Sequence, residues 1–301
     1  EQRPPGVPTT TVAMTGGPGA PDMAAVISAM PDEWYNHIMM PFNDTTSLNT
    51  LRDELLERWG PLKMSEAIAY TAFRGTYGET ITFGEGRNDF LISCIGTSKS
   101  PSPIWEWAAS YCGIAAYHLA IDPARPLQTL VLPGILAPAK ADRFAFDERN
   151  NLLKSGIATH QIQPGDVVAI EREISMYQLN SYGDPDPSYL DITTPATLGK
   201  MRYDIKVMVT NRYPRHKLAD DNVLPQLDPA QPVVTPKLME QAILEVALGW
   251  VSSGLMENFD LFKETLDVTR DTSDRNRLNC VCRPDVVNQL RVLAALIQFK
   301  L

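Results

Sequence analysis

A serine that could act as a nucleophile lies in the segment Gly96-Thr97-Ser98, just before a predicted helix. Hydrolysis by such a serine requires a histidine that takes the hydroxyl proton and a carboxylate that orients the histidine. His37 is the only histidine before Ser98, and no glycines flank it in EWYNHIMM to let it face a cleft. We therefore favour a Ser/Pro loop leading into a helix, and keep a serine hydrolase that uses Ser98 as an alternative.

The glycine-rich sequence MTGGPGAPDMAAV, residues 14–26, could bind phosphate through backbone N–H groups at a helix start. It lacks the Lys-Ser/Thr ending of a P-loop, and it does not fit the G-x-G-x-x-G pattern of a dinucleotide loop. Its two prolines also remove N–H donors. The sequence favours a structural turn, and we expect no cofactor.

Two cysteines, Cys280 and Cys282, lie two residues apart, which on a strand places both thiols on one face. They could form half of a metal site. However, Cys94 and Cys112 form no matching pair, and the four histidines are distant in the sequence. We predict no metal site and a reduced, cytosolic-type environment.

A basic segment runs from Lys200 to Lys217 in a chain whose net charge is −9. Asp204 is its one acidic residue. Such clustering is typical of a contact patch for an acidic partner, and a solvated helix face and loop is the alternative. The candidate contact residues are Lys200, Arg202, Lys206, Arg212, Arg215 and Lys217.

The composition excludes several classes of protein. Of the 301 residues 44% are hydrophobic and 21% charged, as in a globular protein of one large or two ordinary domains. The negative net charge argues against nucleic acid as a partner, because phosphate binding requires a basic face. No apolar run approaches the roughly 20 residues that cross a bilayer, so we expect no membrane insertion. The sequence starts without Met, so we expect a piece of a longer polypeptide.

In the first half of the chain, strand-like and helix-like segments alternate, which predicts an α/β fold with a mostly parallel sheet flanked by helices. Leu48, Leu51 and Leu55 have helical spacing, and Gly60-Pro61 ends that helix. The other predicted elements are a strand at 9–14, a buried helix at 23–30, a buried strand at 89–96, a helix at 102–120 and a strand at 126–135.

The second half starts with a short helix for which Asp147 is the predicted N-cap and Gly156 the left-handed stop. A β-hairpin follows, with Pro164-Gly165 in its turn and His160 expected on the strand surface. Thr235 should cap the longest helix. The remaining predicted elements are helices at Leu198–Val209 and Pro236–Leu255 and strands at 264–271 and 277–282.

The last ten residues include eight apolar ones, which alternate with polar residues from Ile297 onward as in a half-buried strand. A helix from Asp285 is the competing interpretation. Burying the large side chains contributes on the order of 10 kcal/mol, whereas ordering ten residues costs roughly 10–20 kcal/mol. The segment therefore needs a sheet edge, in this molecule or in another. The candidate strand residues are Val292, Leu293, Leu296, Ile297, Phe299 and Leu301.

Several stretches from the first residues to the last resemble the tail sheath proteins of Mu-like contractile bacteriophages. The most specific is ERNNLLKSGI followed by a β-hairpin. The others are PPGVPTTTVAMTGGPGAPD, LERWGP, DPARPLQTLVLPGILAP, DPSYLDITTPATL, YPRHKLADD and RPDVVNQLRVLAALIQFKL. The resemblance implies a subtilisin-like α/β domain without catalytic residues at 1–195, and a smaller α+β C-terminal domain at 196–301.

The resemblance further implies a structural subunit and not an enzyme. Sheath subunits polymerise around an inner tail tube, and their terminal arms add strands to neighbouring copies, here Val292–Leu301. The implied partners are copies of the chain itself, the tube protein, and baseplate and tail terminator proteins. Either the basic segment or the Pro236–Leu255 helix would contact the tube. The implied locations are the virion tail sheath and, during assembly, the host cytoplasm. An interaction domain that never polymerises remains an alternative.

Overall fold

The computed structural model of the chain describes residues 21–30, 33–226, 228 and 230–298. These divide into two compact units. The first reaches Ile121 and resumes over Leu127–Pro195, and the second combines Asp122–Pro126 with the chain from Ala196 onward. The strand predicted at residues 9–14 and most of the glycine-rich turn lie outside the described residues.

The first unit is built on a small parallel sheet. Its elements are α1 (Met23–Ser28), β1 (His37–Met39), α2 (Thr45–Trp59), β2 (Ile68–Phe73), α3 (Tyr77–Glu85), β3 (Ile92–Gly96), α4 (Ile104–Ile121), α5 (Phe146–Lys154), β4 (Thr159–Gln163) and β5 (Val167–Arg172). The strands β1, β2 and β3 pair in parallel in that spatial order. Because β2 and β3 are almost wholly buried, their sequences are continuous apolar and small-residue runs without alternation. The chain is a mixed α/β protein.

The helix predicted from the spacing of Leu48, Leu51 and Leu55 is present as α2. The Asp44 carboxylate caps it by accepting a hydrogen bond from the backbone N–H of Ser47 at 2.9 Å. Leu48, Leu51 and Leu55 all point into the core, and the helix ends at Gly60. On the sheet, α4 buries Trp107 completely, and its indole N–H donates to Ser100 Oγ at 3.0 Å.

Two of the elements predicted in the first unit differ from the structure. The helix predicted at 23–30 forms as α1, but none of its residues is buried, so the predicted burial is wrong. The strand predicted at 126–135 is an irregular segment beside β5, to which the backbone N–H groups of Thr129 and Leu132 donate at 2.7 and 2.9 Å. Thr129 has a φ of +71°, which interrupts the extended backbone.

The elements β1, β2 and α3 were missed by the sequence analysis. The β2 sequence IAYTAF contains two alanines, which disfavour strands, and α3 contains Gly78 and Gly84, which disfavour helices. A capping box stabilises α3 nonetheless: the backbone N–H of Thr76 donates to Glu79 Oε2 at 2.7 Å.

The helix and hairpin after residue 145 are largely as predicted. The N-cap of α5 is Ala145 and not Asp147, because Glu148 reaches back and accepts the Ala145 N–H at 2.7 Å. Gly156 has the predicted left-handed conformation, with φ +72°. The strands β4 and β5 form the antiparallel hairpin, with Gly165 at φ +85° in its turn.

The second unit packs two long helices against short strands. The helix α6 (Thr193–Arg212) enters this unit at Ala196. The other elements are β6 (Lys217–Leu218), β7 (Val233–Val234), α7 (Pro236–Ser252), β8 (Met256–Glu257), α8 (Phe259–Thr265), β9 (Asp267–Arg270), β10 (Leu278–Val281) and β11 (Asp285–Val286). Thr235 caps α7 as predicted. Met201 and Met208 of α6 lie in the same apolar cluster as Trp250 of α7 and Phe262 of α8.

Candidate functional site

The terminal segment, residues 288–298, forms neither a helix nor a strand ladder in this chain. Its large apolar side chains are 77–93% exposed, namely Leu290, Val292, Leu293, Leu296 and Ile297. Phe299 and Leu301 lie outside the described residues. The half-buried strand and the competing helix are therefore both absent from 288–298, and strand formation with another molecule stays a prediction.

The chain is held in place immediately before this segment. In β11, Asp285 and Val286 pair with Glu257 and Met256 of β8. The N–H of Val287 then donates to the Leu255 carbonyl at 3.2 Å. The terminal segment thus extends from a fixed point at the edge of the second unit.

The six basic candidates do not form one continuous cationic patch. Lys200 Nζ lies 2.5 Å from Asp204 Oδ1, and Arg212 Nη1 lies 2.6 Å from Glu245 Oε2. Arg202 is only half-exposed on α6. Arg215 follows α6 in a turn, and Lys217 lies on β6, where its Nζ donates to a glutamine side chain at 2.9 Å. The charges of Lys200 and Arg212 are therefore each met by a neighbouring carboxylate.

The structure does bring two of the candidates onto one side of α6. Lys200 and Lys206 are exposed there together with Tyr203, which the sequence analysis did not identify. Their three-residue spacing places them on neighbouring helical turns. The resulting surface combines two lysines, of which Lys200 is paired with Asp204, with an aromatic ring of the kind enriched at protein interfaces.

Ser98 is not arranged as a nucleophile. It follows β3 in a buried loop, and its hydroxyl donates to the backbone carbonyl of Asp142. The imidazole of His37 contacts the hydroxyl of Tyr70, with Nδ1 at 3.2 Å from the oxygen. The proton that a histidine would have to take is thus already donated to a carbonyl. The hydrolase alternative has no support in this geometry.

His160 was predicted on the strand surface, and that prediction is wrong. The imidazole is buried, its Nδ1–H donates to the Gly96 carbonyl at 2.9 Å, and its ring centroid lies 4.8 Å from that of Trp107. Burial lowers the pKa of His160 to about 4, despite the opposing hydrogen bond to Gly96. The imidazole is therefore neutral in the folded protein at neutral pH.

This buried histidine predicts a loss of stability in acid. The unfolded chain binds a proton with an ordinary pKa near 6.5, so the contribution of His160 is complete above pH 6.5 and is lost as the pH falls toward 4. The full loss is about 3 kcal/mol. Urea unfolding at pH 7, 5.5 and 4.5, followed by circular dichroism, measures it. The variant His160→Asn should show a shallower pH dependence, and equal slopes would contradict the assignment.

The two neighbouring cysteines lie close together, although Cys282 follows β10 and so does not share a strand face with Cys280 as predicted. Cys280 Sγ and Cys282 Sγ are 3.3 Å apart, and both are free thiols. Within the described ranges, no three His, Cys, Asp or Glu side chains lie close enough together to hold a metal ion. In the same part of the chain, no helix has the length and apolar character to cross a bilayer.

Comparison with known families gives two matches along the chain. The family described as phage tail sheath protein central domain matches residues 16–176, and that described as phage tail sheath C-terminal domain matches residues 184–300. The Mu-like prophage FluMu tail sheath protein of Haemophilus influenzae is 44% identical over 299 residues, which is 99% of this chain and 61% of that protein. The chain thus spans less than two thirds of that relative's length.

Solved structures show the same fold at low sequence identity. A sheath tail protein from Listeria innocua superposes with a TM-score of 0.60 at 12% identity, over 89% of this chain and 56% of that one. One from Desulfitobacterium hafniense gives 0.58 at 13% identity, over 91% and 62%. The anti-feeding prophage helical sheath in its contracted state gives 0.55 at 11% identity, over 92% and 73%.

The central-domain match alone covers more than half of the chain, and the Haemophilus relative covers 99% of it, both independently of the fold comparison. That family consists of structural proteins and not enzymes, in agreement with the buried and hydrogen-bonded Ser98. This chain belongs to the phage tail sheath family.

Proposed function

We propose that the chain is a structural subunit of a contractile tail sheath, which polymerises around an inner tail tube and contracts to drive the tube through a host envelope. The observation that carries the proposal is the exposed apolar terminal segment, in a chain of the tail sheath family. An apolar segment of this kind favours burial against another molecule.

The finer architecture belongs to the same proposal. We assign residues 1–195 to a subtilisin-like domain without catalytic residues and 196–301 to the C-terminal domain. The parallel pairing of β1, β2 and β3 with flanking helices supports the first assignment. The engagement of Ser98 by a backbone carbonyl supports a scaffold without chemistry.

The terminal segment would act as a tether between subunits. Val292–Leu301 would add a strand to a sheet of a neighbouring copy, since main-chain hydrogen bonds at an open edge are a common means of linking chains. The two-stranded ladder of β9 and β10 has open edges of this kind in the described residues. Rigid-body repacking of subunits, and not the tethers, would supply the free energy of contraction.

The tube would contact the exposed side of α6, and the α7 helix is the alternative. Reversing two charges with Lys200→Glu and Lys206→Glu should weaken binding to the tube protein roughly tenfold, which is about 1.4 kcal/mol. Both side chains are exposed, so the fold should be retained. Co-sedimentation with tubes at two salt concentrations measures the loss. The control is Lys154→Glu with Lys263→Glu, which changes the net charge equally at other exposed lysines. Equal binding of both variants would contradict this surface.

The remaining partners follow from the place of a sheath in a particle. They would be baseplate proteins at one end and a tail terminator at the other, with assembly in the host cytoplasm and a final location in the virion tail. Electron microscopy of the longest form that the gene encodes tests the central proposal. Tubes or stacked rings are expected, whereas a protein that stays monomeric at high concentration would indicate a non-polymerising interaction domain.

A further inference from the structure

The thiols of Cys280 and Cys282 are close enough together to react with each other. Their sulfur atoms are 3.3 Å apart, so a disulfide bond of about 2.05 Å requires an approach of about 1.2 Å. The ladder between β9 and β10 ends at Val281, so Cys282 lies just beyond the last paired residue. The backbone that has to move is therefore outside the ladder.

The two thiols differ in reactivity. Cys280 is exposed, and its hydrogen bond with Cys282 lowers the pKa of Cys280. The same hydrogen bond raises the pKa of Cys282, which is partly covered by the apolar cluster of the second unit. Cys280 is therefore the thiolate that attacks first, and Cys282 is the thiol that reacts in the second step.

The other two cysteines provide an internal reference. Cys94 and Cys112 are buried in the first unit. Burial raises the pKa of both, that of Cys112 to about 11. They should stay unmodified in the folded chain.

We propose that Cys280 and Cys282 form a reversible dithiol–disulfide site at the base of the terminal segment, oxidised by low-molecular-weight disulfides. The Cys280 thiolate attacks a disulfide RS–SR, forming a mixed disulfide and releasing one RS⁻. The Cys282 sulfur then attacks Cys280 Sγ and releases the second RS⁻. The two thiols lose two electrons and two protons in total, and RS–SR becomes two RSH.

Closing this bond alters the backbone next to the terminal segment. Residues two apart on a strand have Cα atoms about 6.6 Å apart, whereas most disulfides join Cα atoms at about 5.5–6 Å. The Cα atoms of Cys280 and Cys282 must therefore approach each other. Because Cys280 is held in the ladder, the movement falls on Cys282 and on the adjacent Arg283, whose Nη1 donates to the Thr265 carbonyl at 2.7 Å. Such strain makes the bond easy to reduce. The site would be reduced in a host cell and oxidised in a released particle.

Glutathione disulfide is the probe for this site. The full chain is treated with glutathione disulfide and then alkylated. Its intact mass should show the loss of two hydrogens with Cys280 and Cys282 not alkylated, and peptide mapping should locate the bond between these two residues. Dithiothreitol should reverse the change. Cys282→Ser should instead trap one glutathione on Cys280, whereas Cys280→Ser should stay unmodified. This asymmetry distinguishes an ordered two-step reaction from random oxidation.

Either of two results would overturn the proposal. One is a wild-type chain that retains all four free thiols when folded but forms the bond when denatured. The other is a stable mixed disulfide that Cys282 does not displace. Any effect of the disulfide on sheath assembly rests on the proposed function. The mass measurement detects the disulfide directly, so the disulfide proposal and the sheath proposal can fail separately.

Discussion

Deletion of Val292–Leu301 should abolish sheath tubes in electron micrographs while leaving a folded, soluble chain. The side chains of Val292, Leu293, Leu296 and Ile297 are at least 81% exposed, so their removal costs the isolated chain almost no buried surface. The free energy of unfolding should change by less than about 0.5 kcal/mol, as for other exposed positions. Urea unfolding, sedimentation and negative-stain microscopy of the same preparations separate stability from assembly.

A pair of single substitutions tests whether this segment acts as a strand. On a strand, neighbouring residues face opposite sides, so Ile297 and Gln298 cannot both be buried against one sheet. Ile297→Asp should prevent assembly, whereas Gln298→Asp adds the same charge one residue away and should be tolerated. Normal tubes from the deletion variant would refute the tether role, and equal defects of the two substitutions would refute the strand.

Replacement of Gly84 by alanine should destabilise the first unit by about 3 kcal/mol. A Cβ atom at this position would lie 2.1 Å from the Ser155 carbonyl oxygen and 2.8 Å from Ile157 Cγ1. The carbonyl belongs to the backbone just after α5, so α3 and α5 would have to separate. Urea unfolding followed by tryptophan fluorescence measures the loss.

The same helix offers a control with the opposite expected sign. A Cβ at Gly78 would meet no atom within 4 Å. Gly78→Ala should therefore stabilise α3 by about 0.5–1 kcal/mol, because alanine loses less backbone entropy on folding. Similar effects of Gly78→Ala and Gly84→Ala would show that helix propensity, and not the close approach to Ser155, governs the result.

The sequence alone determined the elements whose signals are local. The stripe Leu48, Leu51 and Leu55, the cap at Thr235 and the left-handed Gly156 involve residues within about one or two helical turns of one another. Side-chain spacing and backbone preference therefore sufficed for them. The family resemblance was equally accessible, because it rests on contiguous stretches of residues.

Only the tertiary structure decided how the candidate side chains are used. Ser98 donates its proton to a carbonyl 44 residues away, and the charge of Arg212 is met by Glu245, 33 residues away. His160 is buried because Trp107, from a separate helix, covers it. Burial and hydrogen bonding depend on which distant residues fold together in space, and spacing along the chain carries no record of that.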